Sequence, residues 1–122
     1  MGKVLDTRVI IEIAKGNKNV LDCVISLDKE FYITSITRFE ILVGFPKKIE
    51  ILLINALKTL DFDGKSADVA SFIYKELTKK GKTPNIKDLF IASVCIANHT
   101  PLVSLDRDFK MFKEFGLDLE LI

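Results

Sequence analysis

The hydrophobic positions of this chain form short apolar runs, separated by longer segments in which apolar residues recur every three or four positions. Short runs are typical of buried β-strands, and the longer period indicates helices that bury one face. Strands are predicted at 4–5, 31–33, 60–62, 101–103 and 117–121. Helices are predicted at 9–14, 36–44, 64–80 and 86–98, and another begins near Asp106.

This alternation of strands and helices predicts the fold class. It favours parallel strands joined by right-handed crossover helices, and hence a three-layer α/β/α sandwich with a central parallel sheet. The chain has 122 residues, of which 48% are hydrophobic, which is enough for one core. We therefore expect a single domain over residues 1–122, with ligands bound beyond the carboxyl ends of the strands.

The cysteines and the N-terminal segment indicate where the protein resides. No apolar run approaches the roughly 18 residues of a membrane span, and Asp6 and Glu12 interrupt what would otherwise be a signal sequence. Cys23 and Cys95 lie far apart, without CxxC spacing or partner histidines, so they are expected to be buried free thiols. We predict a cytoplasmic protein without membrane contact.

Charge alone does not select a partner, because 18 basic and 17 acidic residues leave a net charge of +1. The basic residues are nevertheless crowded in one stretch, at Lys75, Lys79, Lys80, Lys82 and Lys87. The simplest interpretation is a solvated helix end. A surface for an anionic substrate is the alternative, and it requires separate evidence for such a substrate.

Four carboxylates follow predicted strands or begin predicted helices. Asp6 ends the first strand, Glu40 lies on the helix after the second, and Asp106 follows the fourth. Asp88 begins the helix that leads into that fourth strand. Taken singly, Asp6, Asp88 and Asp106 can each be a helix cap, since an acidic residue there gains roughly 0.3–1 kcal/mol from the helix dipole.

Glu40 is harder to explain as a structural residue. At about 100° per residue, it falls in the arc of its helix that also carries Ile36, Phe39 and Val43, so the pattern predicts a carboxylate facing the core. Burial of an uncompensated carboxylate costs several kcal/mol. The compensating charge is either an arginine, with Arg8 and Arg38 the nearest in sequence, or a bound cation.

Together the four carboxylates predict a metal site. In a parallel sheet the strand termini face one crevice, where the carboxylates would repel one another by an amount on the order of kcal/mol per pair. A divalent cation relieves this repulsion, and an all-oxygen site suits Mg²⁺ or Mn²⁺ rather than zinc. Such a site activates water and stabilises charge on phosphoryl oxygens, which favours phosphodiester hydrolysis.

Other chemistries lack the residues that they require. His99 is the only histidine, and no serine or cysteine lies in a recognisable nucleophile motif, which argues against a catalytic triad. The sequence contains neither GxxxxGK[ST] nor GxGxxG, which argues against nucleotide-dependent transfer.

Four motifs in this chain resemble those of one family. They are VLDT with Asp6, Glu40 followed by Gly44, DLFIAS beginning at Asp88, and LVSLDRDF with Asp106. The whole chain resembles a PIN domain, and its size and spacing are similar to the VapC-type toxins of prokaryotic toxin–antitoxin pairs. The resemblance implies an endoribonuclease dependent on Mg²⁺ or Mn²⁺, a parallel sheet, a homodimer, and inhibition by a VapB-like antitoxin.

The resemblance also implies roles for particular residues. Asp6, Glu40, Asp88 and Asp106 would be the catalytic metal ligands, Asp108 would assist through water, and Thr7 and Ser104 would orient the ligands. Apart from the resemblance, in a ribonuclease Lys79, Lys80, Lys82 and Lys87 would guide the phosphate backbone of RNA toward the metals, since they lie just before Asp88 or beside it. Two positions depart from the family: Arg8 stands where serine or asparagine is usual, and Ser104-Leu105 replaces threonine followed by a polar residue. Arg8 could contact a phosphate or could neutralise the acidic site.

Two other functions are compatible with part of this sequence. The first is a catalytically weak PIN-like module that binds a partner or RNA. The second is a receiver-type phosphoacceptor domain, which shares the length, the alternation and an acidic Mg²⁺ pocket. A receiver needs an acidic pair after its first strand and a lysine after its last, whereas here Asp6 stands alone and Ser104 is not followed by lysine.

Overall fold

The computed structural model describes residues 2–122. Five strands form one sheet in which every pairing is parallel, in the order β3-β2-β1-β4-β5. The strands are β1 (Lys3–Leu5), β2 (Phe31–Thr34), β3 (Lys58–Leu60), β4 (Leu102–Ser104) and β5 (Leu119–Leu121). The α-helices are α1 (Thr7–Ala14), α2 (Lys18–Leu27), α3 (Ser35–Val43), α4 (Lys48–Ala56), α5 (Gly64–Lys79) and α6 (Ile86–Ala97), and a 3₁₀ helix spans Arg107–Phe115. Met1 lies outside the described residues.

The predicted parallel sheet is confirmed, with differences at the ends of elements. β3 covers Lys58–Leu60 rather than 60–62, because Phe62 leaves the sheet and its ring lies 4.4 Å from the ring of Phe90. Leu117 is buried but precedes β5, since the left-handed Gly116 turns the chain there. Helices α2 and α4 were not predicted, and the helix after Asp106 is 3₁₀ rather than α.

The sheet separates two apolar clusters, which makes the architecture a three-layer sandwich. On one face Val4 and Leu102 pack with residues of α5, α6 and the 3₁₀ helix. On the other face Leu5 and Val103 pack with residues of α1, α2, α3 and α4. The alternation of neighbouring strand residues between the two faces follows from the period of two in a strand.

The strand order places a switch point between β1 and β4. The chain proceeds outward from β1 through β2 to β3, and then returns to the other side of β1 with β4 and β5. Side chains at the carboxyl ends of β1 and β4 therefore border a crevice in which ligands of open α/β sheets bind. This order differs from the receiver-type order 2-1-3-4-5, so the receiver alternative fails on topology.

Part of the apolar surface remains exposed. The outer faces of α3 and α4, with the turn between them, expose Phe39, Leu42, Val43, Phe45, Ile49 and Leu52. We call these six residues the α3–α4 apolar surface. Within residues 2–122 no helix is both long enough and apolar enough to cross a membrane.

The buried aromatic Phe109 should be essential for stability. It is fully buried in the first cluster, so Phe109→Ala should lower the free energy of unfolding by about 3–5 kcal/mol through lost burial and a cavity. Denaturant titration measures this change. The control variant Ile25→Ala, at a side chain that is 61% exposed and lies outside the α3–α4 apolar surface, should change it by less than about 1 kcal/mol; equal effects would contradict the described core.

Candidate metal centre

Asp6 lies at the switch point between β1 and β4 and is 5% exposed. Its Oδ1 accepts a hydrogen bond from the backbone N–H of Thr7 at 2.7 Å, so it caps α1. Its Oδ2 accepts from the hydroxyl of Ser104 at 2.9 Å. The same Ser104 oxygen accepts from the backbone N–H of Asp106 at 2.9 Å. Ser104 thus connects Asp6 to the turn that carries Asp106.

Asp106 and Asp108 lie in that turn and at the start of the 3₁₀ helix. Asp106 is half-buried, and its Oδ1 accepts from the backbone N–H of Asp108 at 2.8 Å, so the alternative interpretation of Asp106 as a helix cap is also correct. Its other oxygen, and the exposed carboxylate of Asp108, accept no hydrogen bond within residues 2–122. A single residue can serve as a cap and still offer an oxygen to a ligand.

Glu40 is connected to the site by hydrogen bonds of threonine hydroxyl groups. The hydroxyl of Thr7 donates to Glu40 Oε1 at 2.7 Å, and the hydroxyls of Thr7 and Thr37 are 2.9 Å apart. Thr37 is fully buried and was not predicted as a site residue. Its position three residues before Glu40, on the same side of α3, was the available signal.

The predicted core-facing arc of α3 is only partly correct. Ile36 packs against the first cluster, but Phe39 and Val43 are 55% and 57% exposed, and the face with Thr37 and Ile41 is buried instead. Glu40 itself is half-buried. An amphipathic projection could not show this, because α3 leaves an apolar face uncovered within this chain.

Asp88 projects from the first turn of α6 and is half-buried. The cap of this helix is Asn85, whose Oδ1 accepts from the backbone N–H of Asp88 at 3.1 Å. Asp88 is therefore not the cap, but it is the acidic residue in the first turn of α6, where the helix dipole favours a carboxylate. Its carboxylate accepts no hydrogen bond from residues 2–122, which leaves both oxygens available.

Electrostatics show that these carboxylates lie near one another. Burial raises the pKa of Asp6 from 3.8 to about 6, and the charges of Glu40 and Asp106 add to the rise, while hydrogen bonds from Ser104 and Thr7 oppose it. Burial also raises the pKa of Asp88 to about 6. The further causes at Asp88 are the charges of Asp6, Asp106, Glu40 and Asp108, in that order.

No basic side chain neutralises the group in the part of the chain that the structure describes. The ion pairs there are Lys3–Glu120, Lys15–Glu12, Lys79–Glu76 and Lys80–Glu114. Arg38, one predicted partner of Glu40, instead donates to the side-chain oxygen of Asn55 at 3.0 Å. Arg8, the other, is exposed and forms no ion pair within residues 2–122. The negative charge is therefore uncompensated by protein cations.

The oxygen donors fit a hydrated divalent cation better than an enclosed one. Across residues 2–122 no three acidic, histidine or cysteine side chains are close enough to hold a metal ion by themselves. Mg²⁺ usually keeps several waters and binds through one or two carboxylates, and all-oxygen donors suit Mg²⁺ or Mn²⁺. The carboxylates are therefore further apart than a direct three-ligand site requires.

Of the four lysines predicted to contact RNA, two form ion pairs with glutamates and two do not. Lys79 pairs with Glu76 at 2.9 Å, and Lys80 pairs with Glu114 at 3.1 Å. Lys82 and Lys87 are exposed and form no ion pair with any described residue. Lys87 directly precedes Asp88, so the two unpaired ammonium groups belong to the segment that leads into the site.

Comparisons with known proteins show to which family this parallel sheet, in the order β3-β2-β1-β4-β5, belongs. The PIN domain family matches residues 3–114, and the chain belongs to that family. Over 94 residues it is 48% identical to Ribonuclease VapC3 of Methanocaldococcus jannaschii, an alignment that covers 77% of this chain and 98% of that protein.

Two solved structures support the fold assignment. VapBC2 from Rickettsia felis, solved bound to a DNA fragment from its promoter, superposes with a TM-score of 0.81 and 26% identity, covering 99% of this chain and 98% of that one. VapBC-5 of Mycobacterium tuberculosis, from a family of toxin-antitoxin systems, gives a TM-score of 0.68 at 20% identity, covering 99% and 97%. The PIN-like fold predicted from the sequence is confirmed.

Stability without metal should fall as pH rises. The folded-state pKa of Asp6, about 6, lies above its ordinary 3.8, so the folded state binds the proton more tightly. The associated stability is present below about pH 4 and is lost as pH rises through about 6, by about 3 kcal/mol for Asp6. Denaturant titration in EDTA from pH 4.5 to 7.5 measures it, and Asp6→Asn should flatten the profile.

Proposed function

We propose that this chain is an endoribonuclease that depends on Mg²⁺ or Mn²⁺ and acts as the toxin of a toxin–antitoxin pair. The observation that carries the proposal is the group of mutually repelling carboxylates at the switch point, which no basic side chain neutralises within residues 2–122. The 48% identity to a protein named a ribonuclease supports the choice of RNA as substrate.

In this proposal the carboxylates of Asp6, Glu40, Asp88 and Asp106 hold the cation, and Asp108 contributes through water. When bound, the cation activates water and stabilises charge on the phosphoryl oxygens. Ser104 fixes the rotamer of Asp6 by its hydrogen bond, and Thr7 fixes that of Glu40. Such hydrogen bonds orient metal ligands and tune their affinity.

The unpaired cations provide the contacts to the RNA backbone. Lys82 and Lys87 lie beside Asp88 in sequence and have no competing carboxylate among the described residues. Lys79 and Lys80 would first have to leave exposed ion pairs, which are worth little. Arg8 follows Thr7 at the start of α1 and is exposed, so it can contact a phosphate. Affinity should therefore decrease with increasing salt.

The proposed partners are a VapB-like antitoxin and a second copy of this chain. Three observations support this: the similar structures are VapBC assemblies, the family resemblance implies a homodimer, and the α3–α4 apolar surface is uncovered. Contiguous exposed apolar surface on a folded domain marks an interaction site. We place the protein in the cytoplasm, where its RNA substrate and its antitoxin are made, as one PIN domain spanning the chain.

One observation favours a second candidate, a PIN-like module with weak catalysis. No three potential metal ligands are preassembled in residues 2–122, so the carboxylates would have to move to bind a cation together. In this alternative the site binds RNA or a protein without turnover. Metal binding and cleavage, measured separately, distinguish the two functions.

Cleavage tests the enzymatic proposal. Asp6→Asn removes the buried charge while it keeps the side-chain shape, so Mg²⁺-dependent cleavage of a fluorescent RNA should fall at least about 100-fold. Its melting temperature in EDTA at pH 7.5 should stay unchanged or rise, since repulsion is relieved. The exposed Asp22→Asn serves as the matched control and should cleave normally; unaltered cleavage by Asp6→Asn would refute the proposal.

Calorimetry with Mn²⁺ tests the metal separately. The wild-type protein should bind Mn²⁺ with release of protons below pH 6, because Asp6 and Asp88 must ionise. Glu40→Gln should weaken binding about tenfold or more, a loss typical when a ligand or its support is removed. Glu30→Gln, at an exposed glutamate outside the site, is the control. Intact Mn²⁺ binding without RNA cleavage would favour the weak-catalysis module.

A further inference from the structure

A cavity of about 310 Å³ lies beside Asp88, between the loop before α6 and the 3₁₀ helix. Its lining residues are Thr83, Asn85, Asp88, Asp108, Met111 and Phe112. This volume is at the lower end of the roughly 300–1,000 Å³ of small-ligand sites. We propose that the cavity binds one unpaired nucleoside of RNA and prefers a base with an exocyclic amino group. The proposal rests on the ribonuclease function above and adds a substrate subsite to it.

One side of the cavity is apolar and fixed. Phe112 is 1% exposed and packs in the first cluster, so its position is set by the core. Met111 is half-buried next to it. Because Phe112 is almost fully buried, the thioether of Met111 is the apolar group on this side that a base can contact, and a thioether makes favourable contacts with aromatic rings. This side is suited to the face of a base.

The other side of the cavity offers hydrogen-bond donors and acceptors that have no partner among the described residues. Asn85 Oδ1 is engaged by the backbone N–H of Asp88, which leaves its NH₂ group as a donor. The Thr83 hydroxyl and the Asp108 carboxylate form no side-chain hydrogen bond within residues 2–122. A base presents acceptors and, in adenine, cytosine and guanine, an amino group from which a carboxylate can accept. Uracil lacks that amino group.

The surroundings of the cavity suit the phosphates of the same nucleotide. Lys82 and Lys87 flank the residues of its loop side in sequence and have no ion pair with described residues. Asp88 belongs both to the cavity lining and to the proposed metal ligands. A nucleoside in the cavity would therefore hold a neighbouring phosphate close to the carboxylates, which is the positioning that phosphodiester cleavage needs.

Binding of free nucleosides tests this subsite without requiring cleavage. The full chain, labelled with ¹⁵N and kept in EDTA, is titrated with adenosine, cytidine, uridine and inorganic phosphate while amide shifts are recorded. We expect saturable shifts at 83–88 and 108–112 with adenosine and cytidine, and binding about fivefold or more weaker with uridine. Absence of saturable shifts there, equal binding of uridine, or the same shifts with phosphate alone would overturn the proposal.

Matched variants test the cavity itself. Met111→Trp fills the cavity, whereas Met111→Leu keeps its volume, so only the first should abolish adenosine binding. Thr83→Val removes one hydroxyl and should weaken binding about threefold or more. Thr78→Val, at an exposed threonine on α5 outside the lining, should not. Thermal melts verify folding, and Thr83→Val keeps the test valid if Met111→Trp does not fold.

RNA cleavage gives a second readout that separates the two proposals. Thr83→Val should raise KM for an RNA with adenosine or cytidine at the cleavage site, with kcat nearly unchanged. If RNA is cleaved but Thr83→Val leaves both nucleoside binding and KM unchanged, the subsite is wrong and the ribonuclease proposal stands. If nucleosides bind as expected but no RNA is cleaved, the subsite stands and the ribonuclease proposal fails.

Discussion

The burial of a carboxylate at the end of the central strand, with other carboxylates nearby, is the constraint on which the site depends. Asp6 is almost fully buried at the end of the central strand, and its pKa rises to about 6 because of burial and neighbouring charges. No arginine or lysine among the described residues forms an ion pair with these carboxylates. The fold supplies hydroxyl groups instead, which hold the carboxylates in place while their charge remains available.

The topology explains why residues far apart in sequence share this environment. The central position of β1, with β2 on one side and β4 on the other, puts the ends of β1 and β4 side by side. Ser104 at the end of β4 can therefore donate to Asp6 at the end of β1, 98 residues away. Helix α3 adds Glu40 from the other side of β1 through Thr7. Each contribution depends on parallel strands whose carboxyl ends coincide.

The sequence predicted the sheet and the fold class, because the alternation of strands and helices depends on local patterns. The convergence of the four carboxylates stays a prediction, since no three potential ligands within residues 2–122 lie close enough to hold a metal ion by themselves. The prediction was wrong where contacts with residues distant in sequence determine the exposure or the role of a side chain. The exposed face of α3 carries Phe39 and Val43, which a periodicity argument must assign to the core. The sequence allows Asp88 as the cap of α6, whereas Asn85 is the cap in the structure. Thr37 could be inferred only from its position three residues before Glu40, and the cavity could not be predicted, because it depends on packing between elements.

The hydroxyl of Thr7 has a consequence for the direction of its hydrogen bonds. A hydroxyl has one hydrogen to donate. Thr7 donates it to Glu40 Oε1, so in its contact with Thr37 the Thr7 oxygen must accept. The fully buried Thr37 is thereby the donor that begins this chain of hydrogen bonds, and Glu40 Oε2 has no donor among the described residues.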